Sequence, residues 1–234
     1  MKIAIISDLH SNKYAVDRVF NDINKESVDH ILVAGDLVGY YYWPSEVVQL
    51  CMRDSRVQCI QGNHEANLKQ ASESSESISR LTKQYGSGYK RCIQSMSSKE
   101  MNWLFSLPIE LTIEIGGITF YLSHGSLSST DEYLYPNAPI EKLISNYSNA
   151  DFTVFGHTHY SFIHTNKNLC LLNPGSVGQP RDHGNLSSYA IVDSTNRTVR
   201  FKKVLFETEK IIAAVNEFDP SLPYLKDVLT RGTP

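Results

Sequence analysis

Little in the 234-residue chain marks a membrane, secreted or nucleic-acid-binding protein. No apolar run approaches the ~18 residues expected of a membrane span. The opening run "MKIAIISDLH" meets an aspartate at Asp8, too early for the apolar core and small-residue cleavage site of a secretory signal. A basic excess is missing too: the formal net charge is -3, without the positive footprint of a nucleic-acid binder. The four cysteines (Cys51, Cys59, Cys92 and Cys170) are scattered, with no Cys-x-x-Cys pair. That usage predicts reduced, mostly buried thiols in a cytoplasmic protein. Repeats and linkers are also lacking, so residues 1–234 are read as a single domain.

What is present is alternation. Lys2 to Ile6 reads as a buried strand, and Asn12 to Lys25 carries Ala15, Val16, Val19, Phe20 and Ile23 at helical spacing. A second strand covers His30 to Ala34. Pro44 opens a helix through about Met52, proline being well placed in a first turn. Val57 to Ile60 is a third strand. This order predicts an α/β domain with parallel strands. Residues 66–107 change character and read as a helical insertion: "KQASESSESISR" is an exposed helix start or loop, with helices near Leu81–Cys92 and Ser98–Phe105. Strands return at Leu111–Ile115 and Ile118–Ser123 around Gly116-Gly117, a hairpin signal. More follow at Phe152–Phe155, Ser161–His164, Leu169–Leu172, Ser188–Val192 and Thr198–Lys203, then a helix near Thr208–Phe218.

The strand ends carry the chemistry. The first closes with Asp8 and His10, the second with Asp36, and the third with Asn63 and His64. Later ones close with His124 and with His157 and His159. Open α/β sheets bind ligands beyond the carboxyl ends of their strands. Singly, each motif has a plain reading: a helix cap at Asp8, a turn at Asp36 or Asn63, a core histidine at His124. Five of the eight histidines at strand ends is too many for that reading. Leaving His64 aside, two carboxylates, a carboxamide and four imidazoles form an oxygen and nitrogen donor set suited to manganese, iron or zinc. Seven donors suit two ions sharing a carboxylate better than one ion with open positions. Two divalent cations against Asp8 and Asp36 leave positive charge that attracts phosphate and lowers the pKa of bound water toward ~7.

The motifs Asp-x-His, Gly-Asp, Gly-Asn-His, His-Gly and Gly-His-x-His, in this order over residues 8–159, resemble the calcineurin-like metallophosphoesterases. "NPGSVGQPRD", "GDLVGY" and "HGSLSSTDEYLYP" are similar to its bacterial and archaeal phosphodiesterase-type branch. The resemblance implies a four-layer α/β/β/α sandwich. It implies a first ion on Asp8, His10, Asp36 and His159, and a second on Asp36, Asn63, His124 and His157, with Asp36 bridging. His64 is then free to protonate the leaving oxygen or to hydrogen-bond a phosphoryl oxygen. The implied partner is a small phosphoester, nucleotide-type, such as diadenosine tetraphosphate, with no membrane or nucleic-acid partner.

Protein serine/threonine phosphatases of the superfamily continue their Gly-Asp with an Asp-Arg pair, where this chain has Gly39 and Tyr40. That departure tells against a protein phosphatase, though a phosphomonoesterase or protein phosphatase is the rival among enzymes. It also leaves Arg181 as either a substitute grip on phosphate or an arginine on the surface of a turn. The other departure, Glu65 where aspartate is common, is expected to be tolerated. A scaffold that keeps the fold without catalysis is the rival from another class. Retention of all seven donors and His64 opposes it. "YYYW" follows the Asp36 loop directly: either it packs in the core, or Tyr41, Tyr42 or Trp43 lines the mouth and stacks on a base.

Overall fold

The computed structural model describes residues 1–232. β1 (Lys2–Ile6) leads into α1 (Lys13–Lys25), whose Asn12 side chain caps the helix by accepting from the Ala15 amide at 3.2 Å. Ala15, Val16, Val19, Phe20 and Ile23 form its buried face, as their spacing predicts. β2 (His30–Val33), α2 (Pro44–Arg53) and β3 (Val57–Cys59) follow. β1, β2 and β3 are parallel.

The next stretch is helical: α3 (Asn63–Glu73), α4 (Ser75–Tyr85), α5 (Gly88–Ser95) and α6 (Ser98–Ser106). Two details differ from the sequence reading. The serine-rich run is ordered helix on both sides of Ser74, whose hydroxyl caps α4 by accepting from Ser77. The helix expected over Leu81–Cys92 breaks at Gly86, which sits at φ +88° in the left-handed region where a side chain would be strained. Ser97 caps α6 and pairs with Glu100 in a capping box.

β4 (Glu110–Ile115) and β5 (Ile118–Ser123) form the expected hairpin, with Gly116 and Gly117 both at positive φ. Then come α7 (Ile140–Ile144), β6 (Phe152–Val154), β7 (Ser161–Asn166), β8 (Leu169–Pro174), β9 (Leu186–Asp193) and β10 (Thr198–Leu205), and finally α8 (Glu209–Phe218) and α9 (Tyr224–Asp227). The strands form two five-stranded sheets, ordered β10-β9-β1-β2-β3 and β4-β5-β6-β8-β7.

Strand periodicity explains the layering. Ile3, Ile5, Leu32, Ala34, Ala190 and Val192 point to the second sheet and meet Ile118, Phe120, Leu122, Val154 and Leu172. The alternate residues Ala4, Ile6, Ile31, Val33, Tyr189 and Ile191 pack under the helices. Beyond the second sheet the fourth layer is thin: α7 and its flanking loop cover Phe155, Phe162 and Leu171. It need not extend further, because the outer face of β4 is Glu110, Thr112 and Glu114, all exposed. The architecture is the α/β/β/α sandwich. Among the described residues, no helix is long and apolar enough to cross a membrane.

Candidate metal centre

The carboxyl ends of β1, β2, β3, β5 and β6 open on one side of the sandwich, and the loops that leave them bring seven donors together. Five of these donors sit in the left-handed region: Asp8 (φ 55°), His10 (48°), Asp36 (56°), His157 (64°) and His159 (65°). Each such conformation costs roughly 1–3 kcal/mol, tolerated where surrounding structure over-determines it. Here the loops hold one another. Leu9 and His10 amides donate to Asp36 O at 2.8 and 3.0 Å, and Ser11 donates to Leu37 O at 2.9 Å. His157 and His159 therefore do not alternate along an extended strand, as their spacing suggests; each lies on a tight left-handed turn beyond β6.

Glu65 does more than its sequence position implied. Fully buried at the start of α3, its carboxylate accepts from the amides of Asp36 (3.0 Å), Leu37 (2.9 Å), Val38 (3.3 Å) and Gly62 (2.6 Å). Burial and the nearby Asp36 push its pKa up to about 7, but four amide donors favour the anion. Glu65 thus clamps the Asp36 turn.

The seven donors fall into two groups about Asp36, and His64 makes a third convergence with His10 and Asp36. Asp8, His10 and His159 converge, as do Asp36, His124 and His157. Asn63 Oδ1 joins the second group, 3.1 Å from His124 Nε2. Asp36 Oδ2 lies 3.1 Å from His124 Nε2 and 3.9 Å from His10 Nε2, between the groups.

Tautomers reveal what the site requires. Nδ1 of His10, His124 and His159 faces a backbone carbonyl, of Val38 (3.2 Å), Ala34 (2.6 Å) and Gln179 (2.6 Å) respectively. A carbonyl only accepts, so each Nδ1 bears a proton, and Nε2 is the position left to face a cation. Yet His10 Nε2 and His159 Nε2 are 3.0 Å apart, with Asp8 Oδ1 3.3 Å from the latter. His157 Nε2 is buried with no hydrogen-bond partner. Converging lone pairs and an orphaned imidazole nitrogen are what a cation resolves, and carbonyl-anchored imidazoles are the usual support of metal ligands.

The electrostatics agree. Burial opposes ionisation of Asp8, but His159 and His124 hold its carboxyl well below the usual range, and Asp36 is lowered likewise by His124 and His64. Burial pushes His157 and His64 down to about 4, keeping both neutral at pH 7. Burial also disfavours a proton on His124, but Asp36 and Asp8 draw it up to about 10. Without a cation that ring carries a second proton at Nε2, facing Asp36 and Asn63, and a bound cation would take its place.

His64 lies beside both groups, its Nε2 3.9 Å from Asp36 Oδ2, with its amide donating to Asp36 Oδ1 at 2.9 Å. Gly39 is required under it: at φ +89°, a Cβ there would collide with His64 Nδ1. Arg181 is half-buried, with its guanidinium near His159, Asp8, Tyr40 and Tyr133.

The "YYYW" segment requires a correction. Tyr41 and Tyr42 belong to the helix-side core, with hydroxyls donating to Leu225 O (3.0 Å) and Asp219 Oδ2 (2.8 Å). Neither leaves a ring face for a base. Trp43 is half-buried against Tyr14 of α1, at 4.8 Å between centroids. The tyrosines that do border the site were missed. Tyr40 sets its edge against His10, and Tyr85 meets His64. Tyr133 stacks on His157 at 4.1 Å, with Tyr135 parallel to it at 5.5 Å. The i, i+2 tyrosines of "EYLYP" were the available signal.

Residues 1–197 match the calcineurin-like phosphoesterase superfamily domain. An uncharacterized protein of Methanocaldococcus jannaschii is 31% identical over 225 residues, 89% of each chain. The crystal structure of a metallophosphoesterase from Sphaerobacter thermophilus superposes with a TM-score of 0.78 at 26% identity, covering 97% of this chain and 98% of that one. That of a hypothetical protein from Pyrococcus horikoshii reaches 0.84 at 18% identity, covering 99% and 98%, a likeness of fold.

Proposed function

Since the chain belongs to the calcineurin-like phosphoesterase superfamily, we propose that it hydrolyses phosphodiester or phosphoanhydride bonds of nucleotide-type substrates, diadenosine tetraphosphate among them, using two divalent cations. The observation that carries this reading is the placement of the Asp36 carboxylate between two donor groups, in one of which the Nε2 atoms of His10 and His159 face one another. Asp8, His10, Asp36 and His159 hold one ion, and Asp36, Asn63, His124 and His157 the other. Manganese, iron or zinc fits these donors. Bound there, the ions supply Lewis acidity toward a phosphoryl group and toward water.

The chain's own residues do the rest. Arg181, among Tyr40, Tyr133 and Asp8, brings a fixed positive charge to the phosphate, the role left open by Gly39 and Tyr40. His64 acts on the substrate rather than on a cation. The nucleotide preference rests on Tyr133 and Tyr135, which are 41% and 38% exposed beside His157 and offer aromatic surface at the mouth. The four buried, unpaired thiols go with a reducing compartment, and hence a cytoplasmic location.

The test is a panel at fixed manganese: dinucleoside polyphosphates, cyclic nucleotides, aryl phosphodiesters and phosphopeptides, with metal content measured on the same samples. Two bound ions with turnover of dinucleotides or diesters over phosphopeptides is the expected result. Fewer than one ion bound after loading, or turnover of phosphopeptides alone, refutes it.

A further inference from the structure

Helices α3 and α5 meet at a hydrogen bond that no role above uses. The Tyr89 phenol oxygen lies 2.7 Å from His64 Nδ1, and the two rings are near parallel at 24°. Tyr89 is fully buried. Burial raises the pKa of its phenol well above the usual value, so the O–H is intact and needs an acceptor. Among the described residues, His64 Nδ1 is the hydrogen-bond partner of that phenol. The phenol hydrogen is therefore left for Nδ1. The reverse arrangement, with Nδ1–H donating to the phenol, would strand a buried hydroxyl hydrogen with no acceptor.

A neutral imidazole that accepts at Nδ1 carries its proton at Nε2. His10, His124 and His159 are wired the opposite way, Nδ1 donating to a carbonyl and Nε2 turned to the cation position. His64 Nε2 points to the same interior and comes within 3.9 Å of Asp36 Oδ2. As a lone pair it would be an eighth ligand; as N–H it cannot ligate. Nor does this tautomer suit proton transfer. Giving up the Nε2 proton would leave an imidazolate, or require the phenol proton to follow it onto Nδ1.

We propose that Tyr89 is a positioning residue that fixes His64 as the Nε2–H tautomer, so that His64 donates a hydrogen bond to a phosphoryl oxygen without surrendering its proton and is withheld from the metals. The hydrogen-bonding role rests on the phosphoesterase reading; the tautomer does not.

Long-range proton–nitrogen NMR on histidine-labelled protein, zinc-loaded and metal-free, tests this directly, with His64 assigned by its loss in His64→Gln. The wild type should show His64 protonated at Nε2 and bare at Nδ1, and Tyr89→Phe should shift it to a tautomer mixture. With manganese, Tyr89→Phe should lower kcat about tenfold, equally for nitrophenolate and alkoxide leaving groups, with KM unchanged. Protonation of Nδ1 in the wild type overturns the proposal, as does a tautomer unmoved in Tyr89→Phe or a loss confined to alkoxide leaving groups. Should Tyr89→Phe not fold, the wild-type spectrum alone decides. The expected spectrum without turnover of any substrate supports the tautomer and overturns the phosphoesterase reading instead.

Discussion

Metal loading should change the stability of this protein by an amount that follows from the site's construction. The bare centre combines five left-handed residues with facing imidazole lone pairs, so cations that bind only the folded chain relieve existing repulsion. At a hundredfold excess over its dissociation constant, one ion stabilises by about 2.7 kcal/mol, and two independent ions by about 5 kcal/mol. In a chain of this size each kcal/mol moves the melting temperature by about 2–4 °C. Differential scanning calorimetry should therefore separate the manganese-loaded from the chelator-stripped protein by roughly 10–20 °C. The variants distinguish the sites. Asp36→Asn weakens both groups and should lose most of the increment. His159→Ala touches one group and should keep about half. Loaded and stripped proteins that melt within about 2 °C of each other, below the shift expected for even one bound ion, would refute the two-ion assignment, and so would an Asp36→Asn protein with the full increment.

Three further outcomes follow from individual side chains. His64→Ala should retain both metals while kcat falls about a hundredfold, the scale of losing one donor to a developing charge; metal analysis showing an ion lost would make His64 a ligand instead. Alanine at Tyr133 or Tyr135 should raise KM for a dinucleotide roughly five- to hundredfold, the equivalent of about 1–3 kcal/mol of base stacking, while leaving a small aryl phosphate nearly unaffected; parallel losses on both substrates would remove the case for a base site. Glu65→Gln sets an amide NH2 against backbone N–H groups that now donate to a carboxylate, and should cost about 2–5 kcal/mol in urea unfolding together with weakened manganese binding.

The layers and the donors were legible for the same reason. Buried strands announce themselves by apolar runs, and Asp8, Asp36, His124 and His157 stand directly where those runs stop, a local property of the chain. What escaped depended on distant partners. The rule that a phenol needs a partner argued against burying Tyr41 and Tyr42 in a loop, and the partners exist, but at Leu225 and Asp219, 184 and 177 residues away. Tyr89 was invisible for a similar reason: its meaning lies in the angle between α3 and α5, which no periodicity encodes. Glu65 was taken as a tolerated variant because its four amide donors belong to backbone, and backbone carries no residue type.

The late segments that satisfy those phenols also bear on how the molecule is made. Asp219 takes hydrogen bonds from Tyr42 and from both the amide and hydroxyl of Ser87. Leu225 receives Tyr41, and Arg231 grips the Arg181 loop by two bonds, its carbonyl accepting from Gly184 and its guanidinium donating to Arg181 O. All seven donors have left the ribosome once His159 has, whereas these fasteners arrive about 60–70 residues later, several seconds at usual elongation rates. During that interval the nascent chain holds all seven donors while the phenols of Tyr41 and Tyr42 and the Arg181 loop are still unsecured. Synthesis of the donors and closure of the loops that support them are thus separate events in time, the second waiting on residues Asp219 to Arg231.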